Sequence, residues 1–228
     1  MIKKFLEILG QKSQTFFGEI GGVTSLTFKF FLSLKTLKRE FKLVLEQCYQ
    51  IGNKSVLIAI LTAIFAGMVI ALQFGMGLKR FGAKGYIGGL VAIALFRELG
   101  PVLTALMVGG RVGAGMTAEI GSMNVTEQID AIRSMGADPV EKLVLPRVLA
   151  AIFMFPLLTI LSDVLGLFGA MVIGFLEFDI TTRAFLDSAY KLVKFTDVFS
   201  GIGKTFFFGY FVSIIACYQG LKTTGGTV

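Results

Sequence analysis

The chain has 228 residues, of which 54% are hydrophobic and only 16% are charged, and its mean hydropathy is +0.78. Globular domains carry roughly 25% charged residues, so this composition excludes an ordinary water-soluble domain and predicts an all-α integral membrane protein. The net charge is +7, but nine of the 22 basic residues precede the first long apolar run. This distribution favours a membrane surface over nucleic acid as the partner of these charges.

The residue inventory also excludes several kinds of chemistry. The chain has no histidine, and its two cysteines are Cys48 and Cys217. Histidine and cysteine supply most zinc and iron–sulfur ligands, and histidine is the usual base of a catalytic triad. We therefore predict no metal site, no cofactor bound by this chain and no catalytic residues of its own.

The first predicted element is an amphipathic helix within an interfacial region of residues 1–50. Its apolar positions recur at helical spacing and comprise Phe30, Leu34, Leu37, Phe41, Val44 and Cys48. Lys35, Lys38 and Lys42 fall on the opposite face, as in helices that lie in the membrane interface. The same pattern also fits an amphipathic helix packed on a protein partner. Charges are dispersed through residues 1–22, so no cleavable signal peptide is predicted.

Four apolar stretches then predict four transmembrane helices. The first has 24 residues without a charge, enough at about 1.5 Å per residue to cross a hydrocarbon core of roughly 30 Å. The third has 38 residues and would measure about 57 Å as one helix, so we expect it to protrude, tilt or kink at Pro156. The four stretches are residues 55–78, 85–110, 139–176 and 198–221.

Lysine and arginine in the connecting segments predict the orientation. Nine precede residue 55, four lie between residues 111 and 147, and the two opposite loops hold three each. Because basic residues concentrate on the cytoplasmic side, we expect the N-terminus and the middle loop to be cytoplasmic, in a chain integral to the inner membrane.

The middle loop carries two helix-start signals. Asn124 and Glu127 have capping-box spacing, and Gly136 is a natural stop, which predicts a short helix over residues 125–135. Asp138 followed by Pro139 then predicts the start of the third span, with Asp138 as its N-cap.

Two glycine motifs do not support nucleotide binding. The triplet Gly203-Lys204-Thr205 ends like a phosphate-binding loop, but Val198 stands where that motif requires glycine. Gly109 and Gly113 have the small-xxx-small spacing that lets membrane helices approach closely, so we interpret them as helix-packing residues.

The strongest functional signal is Arg97-Glu98-Leu99-Gly100-Pro101, at the centre of the second span. Each charge at that depth costs about 2.5 to 3.5 kcal/mol even on the lenient insertion scale. Neighbouring helical residues point about 100° apart, so at least one charge needs a partner elsewhere. Pro101 has no N–H for the carbonyl of Arg97, which predicts a kink and a free acceptor. We interpret Arg97, Glu98, Gly100 and Pro101 as a bendable point lining a substrate cavity; the alternative is a structural ion pair with Asp163 or a neighbouring subunit.

Six sequence blocks occur in a fixed order between residues 97 and 147: Arg97-Glu98-Leu99-Gly100-Pro101, Gly110-Arg111, Thr117-Ala118-Glu119-Ile120-Gly121, Thr126-Glu127-Gln128, Asp138-Pro139 and Leu145-Pro146-Arg147. On these blocks the chain resembles the MlaE-type permeases, the membrane subunits of ABC transporters that work with MCE-domain proteins. The resemblance covers roughly residues 45–226.

The resemblance implies a homodimeric permease bound to two cytoplasmic ATPase subunits, which hold the ATP and magnesium, and to a periplasmic ring of MCE proteins. Such transporters move phospholipids or related lipids between membranes. Residues 51–228 would form the permease domain. Similar permeases have a further transmembrane helix after the Gly-rich segment, here residues 220–228, and the resemblance implies that this helix is absent here. A coupling loop at about residues 116–138 would dock on the ATPase through its short helix. Its candidate contact residues are Glu119, Asn124, Glu127, Asp130 and Arg133.

Two other functions remain compatible with the sequence. A self-contained ion-coupled carrier would use Glu98 and Asp163 to bind protons within the membrane, and inverted repeats, which would favour it, are not evident. A non-transporting membrane scaffold would anchor partners on both sides. Transport by the purified chain under a pH gradient would identify the carrier, and assembly with no lipid in the cavity would support the scaffold.

Overall fold

A computed structural model describes the backbone of residues 2–223 and the side chains of residues 10–37 and 39–223. Lys38 and the last part of the Gly-rich segment, residues 224–228, therefore lie outside the described side chains. Within residues 2–223 all regular elements are helical. The main helices are α1 (Ile2–Ser33), α2 (Leu37–Arg80), α3 (Ile87–Ala94), α4 (Gly100–Val125), α5 (Gln128–Ser134), α6 (Leu145–Phe178), α7 (Thr182–Leu192) and α8 (Phe195–Lys222).

Four of the described segments are long and apolar enough to cross a bilayer, which confirms the predicted all-α membrane fold. They are Arg39–Arg80, Lys84–Val125, Val140–Phe178 and Phe195–Lys222. The second is longer than the sequence indicated, because α4 continues through the glycines after residue 108 to Val125. Residues 116–125, predicted as part of the middle loop, are thus the last turns of α4. The third runs as one α-helix through Pro156.

The N-terminal region differs from the single amphipathic helix predicted. A 3-10 turn at Leu34–Thr36 separates α1 from α2, and α2 then continues without a break through residue 50. Phe30 and Val44 are buried in a core cluster, whereas Phe41 is 56% exposed. Most of the predicted apolar stripe therefore packs on the bundle itself, and the interfacial position of residues 1–50 stays a prediction.

The bundle is organised around α6, whose length brings it against both α2 and α8. Glycines allow these contacts. A Cβ added at Gly67 of α2 would lie 1.8 Å from the carbonyl oxygen of Gly166 in α6, and one at Gly169 would lie 2.3 Å from the carbonyl oxygen of Ile64. On the other side, a Cβ at Gly209 of α8 would lie 2.8 Å from the carbonyl oxygen of Ala151. The small residues let the backbones meet, as is typical of membrane bundles.

Helix α7 was not predicted, because the sequence suggested only a loop between the third and fourth spans. Thr181 caps it by accepting a hydrogen bond from the N–H of Ala184 at 3.3 Å. The helix lies on α3, where the N–H of Gly89 donates to Oγ of Ser188 at 3.1 Å. Phe185, 1% exposed, inserts into the core at this end. The signal for α7 was present in the sequence, since its buried residues Phe185, Ser188 and Ala189 recur at helical spacing after a threonine N-cap.

Of the three helix-boundary signals predicted between α4 and α6, the structure confirms two and contradicts one. Gly136 has φ +77° and ends α5, and the carboxylate of Asp138 accepts from the N–H of Val140 at 2.9 Å, so both signals are confirmed. The capping box is wrong. Asn124 lies inside α4 and donates to the carbonyl of Thr223 at 2.8 Å, while Glu127 precedes α5 in a left-handed conformation, φ 59°.

The contact between α1 and the end of α8 is expected to depend on pH. The ammonium of Lys222 hydrogen-bonds the Glu19 carboxylate and lowers the pKa of Glu19 below its ordinary value of 4.5. Because the folded chain favours the ionised carboxylate, the contact stabilises α1 above pH 4.5 and is lost as the pH falls through the folded pKa of Glu19. We expect the protection factors of the α1 amides, taken relative to the intrinsic exchange rate at each pH, to fall over that acidic range, and Glu19→Gln to show low protection at neutral pH. Equal exchange in both proteins at neutral pH would contradict this.

Candidate functional site

A local change of helix geometry lies in the first half of the second span, Lys84–Val125, and not at its centre as the shorter predicted span implied. Between α3 and α4, Leu95–Leu99 form a π-helical turn, in which the N–H of Gly100 bonds to the carbonyl of Leu95 five residues earlier. Pro101 follows at once and has no N–H to donate. The predicted disruption at Pro101 is thus accommodated as an inserted residue, which is how π-bulges arise within α-helices and why they often occur at functional sites.

The charges of this turn are paired with α8. Nη1 of Arg97 lies 3.6 Å from Oδ1 of Asp197, and Oε1 of Glu98 lies 2.7 Å from Nζ of Lys204. Nζ of Lys204 also donates to the backbone carbonyl of Arg97 at 3.0 Å, which is the acceptor that Pro101 leaves free. We call Arg97, Glu98, Asp197 and Lys204 the charge cluster.

The charge cluster lies at the surface of the chain. The side chains of Arg97 and Glu98 are 55% and 61% exposed. The backbones of the two helices meet between the ion pairs, because a Cβ at Gly201 would lie 1.9 Å from the carbonyl oxygen of Phe96. The turn is therefore braced from α8 by a close glycine contact and by one lysine.

Asp163 does not pair with either charge, so that part of the structural alternative is wrong. Its side chain is 3% exposed and faces Gly100, where an added Cβ would lie 1.7 Å from Oδ1. That oxygen has no hydrogen-bond partner among the described residues. Gly100 is thus required where α4 passes this carboxyl group.

An apolar groove of about 400 Å³ adjoins the charge cluster. Phe96 and Val198, which flank Arg97 and Asp197 in the chain, line it together with residues of α7 and the α7–α8 turn. These include Leu186, Tyr190 and Phe195. A polar group held by the cluster could therefore have an apolar extension in the same ligand.

Sequence reasoning missed Asp197 and Lys204 as members of this site. Lys204 stood out only within a triplet that fails as a nucleotide motif, and Asp197 lay just outside the predicted fourth span. The available signal was their spacing, since opposite charges seven residues apart lie on one face of a helix. At least one of the two charges on the second span needed such a partner.

The two predicted packing glycines and the candidate coupling residues of α5 lie in different parts of the structure. Gly109 and Gly113 lie along α8, where added Cβ atoms would be 3.3 and 3.4 Å from the side chain of Val212. On α5, Asp130 and Arg133 form an exposed ion pair at 2.8 Å, and Ile129 is fully buried beneath them.

Comparison with known proteins agrees with this architecture. The family model for the MlaE permease matches residues 44–228. A probable ABC transporter permease protein of Rickettsia conorii is 38% identical over 99% of this chain and 87% of its own length. One of Synechocystis is 42% identical over 88% of this chain and 76% of its own length. The chloroplastic protein TRIGALACTOSYLDIACYLGLYCEROL 1 of Arabidopsis thaliana is 36% identical over 83% of this chain and 54% of its own length.

The chain belongs to the MlaE permease family. It is a membrane permease of an ABC transporter, a class in which a separate subunit hydrolyses ATP. Gly203, Lys204 and Thr205 lie in the interior of α8, so this triplet does not form a phosphate-binding loop. A phosphate-binding loop requires free backbone N–H groups, which a continuous helix does not offer.

Two of the five candidate coupling residues of this MlaE permease are engaged within the chain. Oε2 of Glu119 lies 3.0 Å from Nη2 of Arg147, whose side chain is 5% exposed, and Asn124 binds the end of α8. Glu127, Asp130 and Arg133 are exposed. Only these three are free to meet another protein without breaking a contact that holds α4 to α6 or α8.

Proposed function

We propose that this permease moves phospholipids or related lipids between the membranes of the cell envelope. It would act in the inner membrane, with its N-terminus in the cytoplasm, alongside cytoplasmic ATPase subunits and a periplasmic ring of MCE-domain proteins. The observation that carries the proposal is the charge cluster beside an apolar groove at membrane depth. Arginine can hold a lipid phosphate by charge-assisted hydrogen bonds, and the groove suits an acyl chain.

Exposure of the charge cluster supports a homodimer. Arg97 and Glu98 are more than half exposed on the single chain, yet a charge facing hydrocarbon costs about 2.5 to 3.5 kcal/mol even on the lenient scale. A second copy that covers this face would remove the cost and enclose a polar cavity between the subunits. Lipid would then enter the cavity rather than contact the charges from the bilayer.

The π-turn supplies the moving part of this proposal. Closure of the ATPase subunits on ATP would shift α5, and the motion would pass into α4 and α6, which flank it in the chain. A π-turn that returns to α-helical geometry rotates the residues that follow it relative to those before it. Glu98 with the Pro101 break would act as the gate, and Lys204 would hold it closed from α8.

Mass spectrometry of lipids that co-purify with the intact complex tests the proposal. Native complexes should retain phosphate-bearing lipids, and Arg97→Gln should lower their amount about tenfold, the scale of one charge-assisted bond. Arg80→Gln, at the exposed end of α2, is the matched control and should retain the native amount. If Arg97→Gln retained as much lipid and transported it as fast, the cavity assignment would be wrong.

A charge exchange on α5 tests its docking on the ATPase. Asp130→Lys with Arg133→Glu keeps opposite charges at these two positions, where the native ion pair measures 2.8 Å, but reverses the charges offered to a partner, so we expect ATPase co-purification to fall while insertion is unchanged. The control is Arg183→Glu with Asp187→Lys, an exposed pair of positions on α7. Full recovery of ATPase with the α5 variant would show that another surface binds it.

A further inference from the structure

A polar cavity, separate from the apolar groove, lies between α2 and α4. Its volume is about 340 Å³, within the range of small-ligand pockets. Polar side chains provide much of its lining, and none belongs to the charge cluster. They are Gln47, Gln50, Lys54, Arg111 and Glu119. We call it the basic cavity.

Arg111 is held in place by a buried hydroxyl. Its Nη1 donates to Oγ of Ser55 at 2.9 Å, and Ser55 is fully buried. A guanidinium has five N–H donors, so this bond orients the group and leaves donors for a ligand. Lys54 is adjacent to Ser55 in the chain, which brings an ammonium to the wall of the same cavity.

The charge of the basic cavity is positive. Among the described side chains, those of residues 10–37 and 39–223, the ion pairs use other cations, so neither Lys54 nor Arg111 is neutralised within 4.0 Å there. The one acidic residue of the lining, Glu119, is itself paired with buried Arg147. Two free cations and two amides that can donate favour an anion with several acceptor oxygens.

The basic cavity lies at a membrane boundary. Lys54 immediately precedes the 24-residue run without charge, so it marks one edge of the hydrocarbon core. Arg111 follows Arg97 by 14 residues, about 21 Å along the helix. The basic cavity and the charge cluster are thus separated by most of a hydrocarbon core of roughly 30 Å, and this cavity is at the level of lipid headgroups.

We propose that the basic cavity binds the phosphate of an anionic lipid headgroup, in the leaflet on the side where the chain begins. Lys54 and Arg111 bind the phosphate oxygens, and Ser55 is a positioning residue for Arg111. The permease would then present two phosphate sites about 21 Å apart along the second span, one between α2 and α4 and one between the π-turn and α8. The inference rests on the proposed function only in taking the phosphate from a lipid.

Photocrosslinking to the purified full chain in detergent micelles tests the inference without ATP or partners. The probe is phosphatidylglycerol with a diazirine on its headgroup, compared with diacylglycerol carrying the same group. Phosphatidylglycerol should label peptides containing residues 47–54 and 111–119, and Lys54→Gln with Arg111→Gln should reduce that labelling about tenfold or more. Ser55→Ala should reduce it less. Lys79→Gln with Arg80→Gln, at the other end of α2, is the matched control and should label as the native chain does.

The outcomes distinguish a lipid phosphate from free phosphate, and they distinguish a failure of the basic-cavity proposal from a failure of the charge-cluster proposal. If phosphatidylglycerol does not label these peptides, while millimolar inorganic phosphate raises the melting temperature of the native chain but not that of the double variant, the site takes free phosphate and the lipid source is wrong. Equal labelling by diacylglycerol, or equal labelling of the double variant with an unchanged melting temperature, would overturn the inference. Arg97→Gln should leave this labelling unchanged, so a failure of the charge cluster as a lipid site is distinguishable from a failure here.

Discussion

Lys204→Met is expected to lower the proposed ATP-driven lipid transport about tenfold or more in a complex that still assembles, on the scale of lost charge-assisted hydrogen bonds. Nζ of Lys204 donates both to the Glu98 carboxylate at 2.7 Å and to the carbonyl of Arg97 at 3.0 Å. Without this ammonium the ionised Glu98 carboxylate loses its partner within the membrane. The Arg97 carbonyl, for which Pro101 has no N–H to donate, is also left without a hydrogen-bond donor. Both belong to the π-turn, so its geometry should change along with its charge.

Transfer of labelled phospholipid between donor and acceptor vesicles measures the effect. Lys191→Met, an exposed lysine of α7, is the matched control and should transport normally. Reversing one charge, Glu98→Lys or Lys204→Glu, should abolish transport by placing like charges together, whereas the two reversals combined should recover part of it. Unchanged transport by Lys204→Met, or no recovery in the combined variant, would remove this ion pair from the mechanism.

A single methyl group at Gly67 is expected to destabilise the whole bundle. The added Cβ would lie 1.8 Å from the carbonyl oxygen and 2.6 Å from the carbonyl carbon of Gly166. These are backbone atoms, so α2 and α6 must separate rather than rearrange a side chain. Overpacking of this kind costs about 1–3 kcal/mol and at times more, and the gain in helix propensity of about 1 kcal/mol from glycine to alanine offsets only part of it.

The melting temperature of the detergent-solubilised chain measures this loss. Gly67→Ala should melt at a lower temperature than the native chain. Gly77→Ala is the matched control, because it lies in the same helix with nothing within 4 Å of an added Cβ, so the gain in propensity alone should leave stability unchanged or higher. If both variants melted alike, the α2–α6 contact would be looser than the glycine geometry requires.

The same contact shows why helix positions could be predicted but helix neighbours could not. Spans are visible because an apolar run of about 18 residues or more is long enough to cross a bilayer. Which spans meet depends on single glycines such as Gly67 and Gly209, and the sequence has 28 glycines. Gly110 and Gly115, for example, have nothing within 4 Å of an added Cβ. A glycine's role therefore depends on what the fold brings opposite it.

Helix ends illustrate a similar division. Gly136 and Asp138 act locally, through a positive φ and a bond two residues away, so their roles were predictable. Asn124 had the right spacing for a cap, but the end of α8 offers its amide two carbonyl acceptors. Those acceptors lie about a hundred residues away in the chain, and they keep Asn124 inside α4.

The sequence by itself determined the membrane environment, the four spans and the need of at least one of Arg97 and Glu98 for a partner, because the cost of apolar surface in water and of charge in lipid depends on composition and local order. Only the tertiary structure decided that the partners are Asp197 and Lys204 rather than Asp163, and that Lys204 also binds the carbonyl left free by Pro101. An ion pair forms only between side chains that are close in space. Arg97 and Glu98 lie about a hundred positions from Asp197 and Lys204 in the chain, and they meet only because the second span packs against α8.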